Sequence, residues 1–376
     1  MNPPTASPMT RETRARHSGG DCSHESVPPA GEARDDETPT VAATGSAHDR
    51  VATVGELAEV FAPIAGDMAA VELRFRAELQ SRYESIAPLL RHGTQLGGKR
   101  LRPAMLLLAA RATGPLVHDH VVLGTVVEMV HTATLIHDDV LDRAETRRHT
   151  PTVNAVWNDD LSILLGDYLF AQSFRLAATL ESTEACRWIG EAARRVCEGE
   201  MRQIRQRDVL DLDEATYLEM IRGKTAELCR VSCELGARHA GAPDSQVAAL
   251  GRYGDALGIA FQIADDALDL WGDDRTVGKT LGTDLRQGKW TLPIIRLLHD
   301  DDRRTRSEAV AALRGPTERR AERILPLLKR KQAYRQTVRE ATRYRDMAID
   351  ALGTVPPSPS REALARLADF AVRRRH

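Results

Sequence analysis

The chain has 376 residues, and its 52 basic and 54 acidic side chains give a formal net charge of −2. This balance excludes a global electrostatic attraction to nucleic acid, although it leaves room for local basic sites. Aromatic residues make up only 4% of the chain while alanine, leucine and arginine are plentiful, a mixture that favours helices over strands.

The first 50 residues form a separate compositional region. They are rich in proline, serine, threonine, glycine and mixed charge, and they contain few large apolar side chains. Such a segment buries too little surface to offset its chain entropy, so residues 1–50 are predicted to be a disordered extension. They also lack the apolar core of a signal peptide.

The pattern changes at Val51, after which apolar residues recur at three- and four-residue spacings and predict a single all-α domain over residues 51–376. Segments with this pattern are Met68–Ser81, Ala104–Ala112, Val121–Val140, Ser162–Leu180, Trp188–Arg207 and Ala256–Trp271. No run of strict alternation indicates a sheet. Val121–Val140 is apolar nearly all round, which is typical of the central helix of a large bundle, and it is too short and too polar to predict a transmembrane segment.

The five cysteines are scattered along the chain, and their odd number argues against a disulfide framework. Cys229 and Cys233 share one helix face, but no second pair of cysteines or histidines accompanies them. They are therefore interpreted as small buried apolar side chains rather than as a zinc site. Reduced cysteines favour a cytoplasmic protein.

Two aspartate clusters share one spacing, and each follows an apolar helical run: Asp138, Asp139 and Asp142 in the first, and Asp265, Asp266 and Asp269 in the second. Aspartates four residues apart stack on one helix face, and burying them is costly unless cations bind. Hard oxygen ligands suit Mg²⁺, which substrate phosphates usually complete. A single cluster is more often a solvated helix face or an N-cap, but the repeat favours a metal and diphosphate site.

Basic residues near glycine turns and near the aspartates could bind a diphosphate: Lys99, Arg102, Arg147, Arg148, Lys224 with Thr225, Lys279 and Lys289. Each alone is more typical of a solvated surface, but together they are interpreted as a diphosphate cradle. The run from Gly93 to Arg100 nearly matches a P-loop, yet Arg100 replaces the magnesium-binding Ser or Thr and no strand precedes it. His131, two turns before Asp138, is either a core histidine or a donor to a second diphosphate.

These motifs resemble those of the trans-isoprenyl diphosphate synthase (polyprenyl synthetase) family, most closely its long-chain members. The resemblance covers roughly residues 51–376 and rests on Gly97 to Pro103, both aspartate motifs, Lys224-Thr225, Phe261-Gln262 and the segment from Lys289 to Pro293. It implies an isoprenoid-synthase-type helical bundle around a deep central cavity, a homodimer, and about three Mg²⁺ ions per site with substrate bound. His149 departs from the pattern, because many relatives carry glycine there.

The resemblance also implies roles for individual residues and a reaction, the head-to-tail condensation of an allylic diphosphate with isopentenyl diphosphate to an all-trans polyprenyl diphosphate. Asp138, Asp142 and Asp265 would bind magnesium, supported by Asp139, Asp266 and Asp269. Arg147, Lys224, Thr225, Gln262, Lys279 and Lys289 would bind the allylic diphosphate. Lys99, Arg102, His131 and Arg148 would bind isopentenyl diphosphate.

Product length would depend on residues upstream of the first motif: Ala133, Thr134 and Val130. None is aromatic, and Val130 lies about 12 Å from the first aspartate along the helix. Small side chains leave a tunnel open, which favours a long product, with Phe170 or Phe174 as its deeper floor. Alternatively, Ala133 only packs against another helix, and the product is a geranylgeranyl or farnesyl diphosphate.

Two rival functions remain open from the sequence. A terpene cyclase on a similar fold would normally keep only one aspartate-rich motif. A non-catalytic regulatory subunit of a prenyltransferase would tend to lose aspartates, whereas this chain keeps both motifs. Weak membrane association for product release is a further expectation.

Overall fold

The computed structural model describes residues 54–95, 98–272 and 282–373. The extension predicted for residues 1–50 and the predicted ligand Lys279 therefore lie outside the described residues. The first helices are α1 (Val54–Phe61), α2 (Ala65–Glu78), α3 (Ala87–Gln95), α4 (Leu101–Thr113), α5 (His118–Leu141), α6 (Val153–Val156), α7 (Asp159–Ala177), α8 (Glu184–Arg205) and α9 (Glu214–Ile221). A π-helical turn, Arg222–Ala226, joins α9 to α10 (Glu227–His239).

The remaining helices are α11 (Asp244–Trp271), α12 (Thr283–Arg286), α13 (Leu292–Leu298), α14 (Arg303–Leu313), α15 (Arg320–Arg330), α16 (Ala333–Ala351) and α17 (Pro359–Arg373). Short 3₁₀ turns lie at Ala62–Ile64, Thr317–Arg319 and Leu352–Thr354. The all-α class predicted from periodicity is confirmed, and each of the six periodic segments falls largely within one helix.

The core is built around α5, which packs against α4 and α7, while α10 packs against α4 and α11, and α11 against α16. Most residues of α5 between Val122 and Ala133 are buried, as its all-round apolar character predicts. Glu128, a buried acid in the middle of α5, accepts a hydrogen bond of 2.6 Å from Arg100, which also donates to Glu72 at 3.0 Å. Arg100 is therefore a structural partner of α5.

Two glycines allow the helices that carry the site to approach closely. A Cβ on Gly236 of α10 would lie 2.1 Å from the carbonyl oxygen of Leu106 on α4. A Cβ on Gly258 of α11 would lie 2.4 Å from Cα of Ala226, in the π-helical turn. Any side chain at Gly258 would therefore push the second aspartate helix away from Lys224 and Thr225.

A short hairpin after α5 is a described element that the sequence pattern did not predict. Strands β1 (Thr146–Arg147) and β2 (Thr150–Pro151) pair antiparallel, with Arg147 opposite Thr150. The connecting residues Arg148 and His149 have φ values of 51° and 63°. A two-residue connection with both φ values positive is a type I′ turn, which prefers glycine at its second position. His149 occupies that position.

Cys229 and Cys233 are both buried and free, as the sequence predicts. Burial raises the pKa of both thiols, so they are protonated near neutral pH.

None of the helices in the described residues combines the length and the apolar character needed to cross a membrane.

Candidate active site

The two aspartate motifs lie at the C-terminal ends of α5 and α11, and consecutive residues of the π-helical turn connect them. Nζ of Lys224 lies 3.5 Å from the carboxylate of Asp138. The next residue, Thr225, donates a hydrogen bond of 2.8 Å to Gln262, which in turn donates to Asp266 at 2.8 Å. Since two adjacent residues reach both motifs, the acidic groups border one common site.

The π-helical turn owes its position to close backbone packing against α8. A Cβ on Gly199 would lie 2.4 Å from the backbone nitrogen of Lys224 and 2.9 Å from the carbonyl carbon of Gly223. A π-helical turn widens the backbone by one residue, and such turns often occur at functional sites. In this widened turn, Lys224 faces Asp138 and Thr225 faces Gln262.

The first motif pairs its aspartates with cations. Arg147 donates to both carboxylate oxygens of the buried Asp139, at 2.7 and 3.0 Å. Asp142, just past the end of α5, accepts hydrogen bonds from Nζ of Lys289 at 2.8 Å and from Arg207 at 2.9 Å. The motif is therefore close to neutral without substrate.

Lys224 is held by three oxygen-bearing side chains. It forms an ion pair with Glu200 of α8, donates to Gln203 at 3.1 Å, and lies beside Asp138. Burial alone would lower the pKa of Lys224, but the nearby carboxylates of Asp138 and Glu200 outweigh burial and raise the pKa. The ammonium group is therefore charged and directed into the site.

In the second motif, uncharged hydrogen-bond donors contact Asp266 and Asp269, in place of the cations that contact the first motif. Asp266 accepts hydrogen bonds from the hydroxyl of Tyr217 at 2.6 Å and from Gln262. Burial, together with the charge of Asp284, raises the pKa of Asp266 to about 8. Asp269 accepts bonds from the backbone N–H groups of Thr283 and Asp284 at 3.1 and 3.2 Å, and it therefore orients the start of α12.

A second cationic group, formed by Arg102 and Arg148 around His131, lies beside the first motif. Burial and the neighbouring Arg102 and Arg148 hold the pKa of His131 well below its usual value, so the imidazole is neutral. Desolvation and the charge of Arg147 lower the pKa of Arg148, although Glu128 and Asp265 oppose the shift. Positive charge is therefore in excess here, as in an anion site.

Apolar space adjoins this cationic group. A small pocket opens beside Arg102, between α4, α10, α11 and α17. Its walls include Leu101, Met105, Cys229, Phe261, Leu367 and Phe370. Lys99 is exposed at the same end, and its Nζ lies 5.1 Å from the ring of Phe370. Charge beside apolar walls suits an amphiphilic ligand with an anionic head.

The donor set of the two motifs fits a divalent cation with a preference for oxygen ligands. Asp139 and Asp269 are occupied by Arg147 and by backbone N–H groups, which agrees with supporting roles. Within residues 54–95, 98–272 and 282–373, no three acidic, His or Cys side chains form a ready-made metal site. Substrate phosphate oxygens and waters would therefore have to complete the coordination, as is usual for Mg²⁺.

The polyprenyl synthetase family model matches residues 83–328 of this chain. A heptaprenyl diphosphate synthase component 2 from Geobacillus stearothermophilus is 37% identical over 83% of this chain and 97% of its own length. The octaprenyl diphosphate synthase of Escherichia coli is 35% identical over 82% and 96%, respectively. A crystal structure of a Caulobacter crescentus polyprenyl synthase complexed with calcium and isoprenyl diphosphate matches with a TM-score of 0.80 and 38% identity, covering 85% of this chain and 98% of that one.

The chain belongs to the polyprenyl synthetase family. This membership confirms the family resemblance, the isoprenoid-synthase-type fold class and the prediction that the chain is a prenyltransferase. The roles of individual residues in this synthetase stay predictions, and the contacts described above are the basis on which they can be tested.

Several residues that border the site of the synthetase belong to none of the sequence motifs. Glu200, Gln203 and Arg207 contact Lys224 or Asp142 from α8 and the turn that follows it. Their i, i+3, i+7 spacing on one helix face is a signal that could have identified them. Tyr217 lies in α9 with no accompanying motif, so only the fold shows that it contacts Asp266.

The predicted length-determining residues of the synthetase lie within its interior. Val130 and Ala133 are fully buried, and Thr134 is partly buried and donates to the carbonyl oxygen of His131. Ala133 packs in a cluster formed with α2, α3 and α7. Whether these side chains set product length stays a prediction.

Whether Phe170 or Phe174 forms a deeper floor also stays a prediction. The ring of Phe170 packs against the buried core and lies 6.0 Å from that of His137. Phe174, one turn further along α7, is 39% exposed.

Proposed function

We propose that this protein catalyses the Mg²⁺-dependent head-to-tail condensation of an allylic diphosphate with isopentenyl diphosphate, giving a long-chain all-trans polyprenyl diphosphate. The observation that carries the proposal is the connection of both aspartate motifs through Lys224 and Thr225. This connection places metal-binding carboxylates and a charged lysine at one point. Both are needed to stabilise the diphosphate that leaves when the allylic C–O bond ionises.

Lys224, Arg147 and Lys289 would contact the oxygens of the allylic diphosphate and stabilise the charge that develops as the C–O bond breaks. Bound Mg²⁺ would supply further neutralisation of the departing diphosphate. Asp139 orients Arg147 through two oxygens, and Glu200 and Gln203 orient Lys224. The chain thus fixes the donors before substrate arrives.

Arg102, Arg148 and His131, with Lys99, would bind the diphosphate of isopentenyl diphosphate. Neutral His131 has one N–H to donate, and its pKa would rise once an anion offsets the surrounding arginines. The alkene would attack the allylic cation to form the new C–C bond, and a proton would then pass to the released diphosphate. Apolar walls would keep water away from the cation.

A long product is supported by two facts. The side chains at Val130, Ala133 and Thr134 are small, and the similar enzymes named above include a heptaprenyl and an octaprenyl diphosphate synthase. Each cycle would add one five-carbon unit and move the chain further along α5.

The test incubates pure protein with isopentenyl diphosphate, allylic starters of graded length and Mg²⁺, and then sizes the products. Ala133→Phe is expected to shorten the main product, whereas Ala311→Phe on the exposed face of α14 serves as the matched control. Unchanged product length in Ala133→Phe would remove the tunnel assignment. No condensation by the wild type would overturn the function.

A homodimer is the proposed assembly. Its support is the exposed apolar side chains near the start of α7, Ile163 at 44% and Leu164 at 61%, together with Leu141 at 47% at the end of α5. Such neighbouring apolar groups typically mark an interface. Light scattering should show a dimer for the wild type and a monomer for Leu164→Glu, while a monomeric wild type would contradict the proposal.

A second candidate is one half of a two-component enzyme, because a similar protein carries the name component 2. Condensation by the pure chain alone would exclude the need for a second component. A cytoplasmic location and weak membrane association for product release stay predictions.

A further inference from the structure

Arg207 is a cation at the site that none of the sequence motifs contains. It lies in the turn after α8, and its Nη2 donates to Oδ1 of Asp142 at 2.9 Å. Lys289 binds the same carboxylate at 2.8 and 3.0 Å. Two cations therefore share one carboxylate, and Asp142 can neutralise only one of them.

Contacts between two turns hold Arg207 and Lys289 close to each other. The backbone N–H of Asp208 donates to the carbonyl oxygen of Gly288 at 2.8 Å, and the Asp208 carboxylate pairs with Arg320 at 2.9 Å. Gly288 has a φ of 69°, and a Cβ there would lie 2.6 Å from the Asp208 carboxyl group. The turn after α8 is thus fastened to the turn that precedes Lys289.

The guanidinium group of Arg207 has at least one N–H donor without an acceptor in the part of the chain that the structure describes. Its Nε is buried and has no hydrogen-bond partner among the described residues. A buried donor without a partner is costly, and arginine carries five N–H donors in a fixed planar arrangement. A ligand with several anionic oxygens, such as a diphosphate, would satisfy these donors together with Lys289.

We propose that Arg207 is a further binding residue for the allylic diphosphate, and that Asp208 is the positioning residue that holds it beside Lys289. The proposal rests on the function proposed above. If the Asp142 carboxylate were to bind a metal ion, Arg207 and Lys289 would lose their shared partner and would be available to the diphosphate oxygens. Metal binding and diphosphate binding are then coupled through one exchange of partners.

A purely structural role for Arg207 makes the opposite prediction. If Arg207 only neutralises Asp142, its removal frees that carboxylate, so binding of a metal and diphosphate is unchanged or becomes tighter. If Arg207 binds the diphosphate, its removal weakens binding even when the metal is saturating.

The experiment is calorimetric titration of the full-length protein with inorganic pyrophosphate, with and without Mg²⁺. Arg207→Gln is expected to weaken binding in Mg²⁺ by about tenfold or more, because a charged hydrogen-bond partner is lost. The matched control is Arg205→Gln, which removes the same charge from an exposed position two residues away and should bind like the wild type. Unchanged or tighter binding by Arg207→Gln would overturn the proposal, as would a wild type that does not bind pyrophosphate.

Kinetics separate this proposal from the proposed function. Arg207→Gln should raise KM for the allylic diphosphate about tenfold and leave KM for isopentenyl diphosphate unchanged. Arg207→Lys keeps the charge and should restore part of the binding, which also covers the case in which Arg207→Gln does not fold. If the wild type binds pyrophosphate but does not condense the substrates, the proposed function fails while the calorimetric comparison still decides the role of Arg207.

Discussion

The site contains two cationic regions that differ in how their charge is balanced. In the paired region, each cation contacts a carboxylate: Arg147 with Asp139, Lys224 with Asp138 and Glu200, and Lys289 and Arg207 with Asp142. In the crowded region, Arg102, Arg148 and His131 lie close enough for the arginines to lower the pKa of the histidine. The two regions meet at the hairpin after α5.

This difference suggests different requirements for the two substrates. In the paired region the cations of the chain are already neutralised by its carboxylates. A diphosphate can replace those carboxylates as partner of the cations only if a metal ion binds the carboxylates. In the crowded region the positive charges repel one another, and an anion relieves that repulsion without a metal. We therefore expect the allylic diphosphate to bind with Mg²⁺ and isopentenyl diphosphate to bind without it.

The largest expected effect comes from breaking the paired region at Asp138. Asp138→Asn removes a predicted metal ligand, and the condensation rate should fall by about 10³-fold or more, since a metal stabilises the developing charge by several kcal/mol. Asp244→Asn, at the exposed start of α11, is the control and should keep its activity. Retention of activity within about tenfold in Asp138→Asn would place the metal elsewhere.

The next test separates the two regions by a crossed pair of substitutions. Lys224→Gln should raise KM for the allylic diphosphate, and Arg102→Gln should raise KM for isopentenyl diphosphate, each by about 10- to 100-fold. Each variant should leave the KM of the other substrate within about threefold. Equal effects on both substrates in either variant would contradict the division into two regions, and thermal melting would identify any loss of fold.

The sequence predicted which aspartates form the site, but it did not predict which residues contact them. Spacing alone identifies Asp138, Asp142, Asp265 and Asp269, because aspartates four residues apart must share a helix face. The partners of these groups come from distant segments: Lys289 lies 147 residues from Asp142, and Tyr217 lies 49 from Asp266. Such contacts depend on helix packing, which a periodic pattern does not specify.

The fold, too, was predictable from the sequence only where it does not depend on the packing of distant segments. The long helices were predictable from apolar periodicity, since each buries a broad stripe. The π-helical turn at Lys224 was not predictable, because it depends on the approach of α8 at Gly199. The hairpin was not predictable either, because its turn holds Arg148 and His149 rather than the usual asparagine and glycine.

A third prediction tests the excess positive charge through His131. Its pKa is lowered in the folded chain, so below about pH 6.5 the unfolded chain takes up a proton that the folded chain does not. Stability should therefore fall as pH drops below about 6.5, and His131→Asn should remove that part of the pH dependence. Chemical denaturation of both proteins at several pH values measures the difference.

Nuclear magnetic resonance provides a second reading of the same histidine. The ring signal that disappears in His131→Asn should not titrate between pH 6 and 8 in the substrate-free protein, and added pyrophosphate should raise its pKa. A free-protein pKa near the ordinary value would mean that Arg102, Arg148, Arg147 and Arg100 do not crowd the imidazole.

The smallest expected effect concerns the hairpin that carries both Arg147 and Arg148, and hence one cation of each region. His149 has a φ of 63°, which costs a residue with a side chain about 1 kcal/mol, whereas glycine adopts this conformation freely. Glycine also gains entropy in the unfolded chain, so His149→Gly should stabilise the protein by at most about 0.5–1 kcal/mol. Thermal melting should show a rise of about 1–2 °C, with unchanged KM for both substrates. A stable variant with a raised KM would mean that the His149 side chain contacts a substrate. A loss of stability would mean that the side chain makes a contact worth more than the backbone strain.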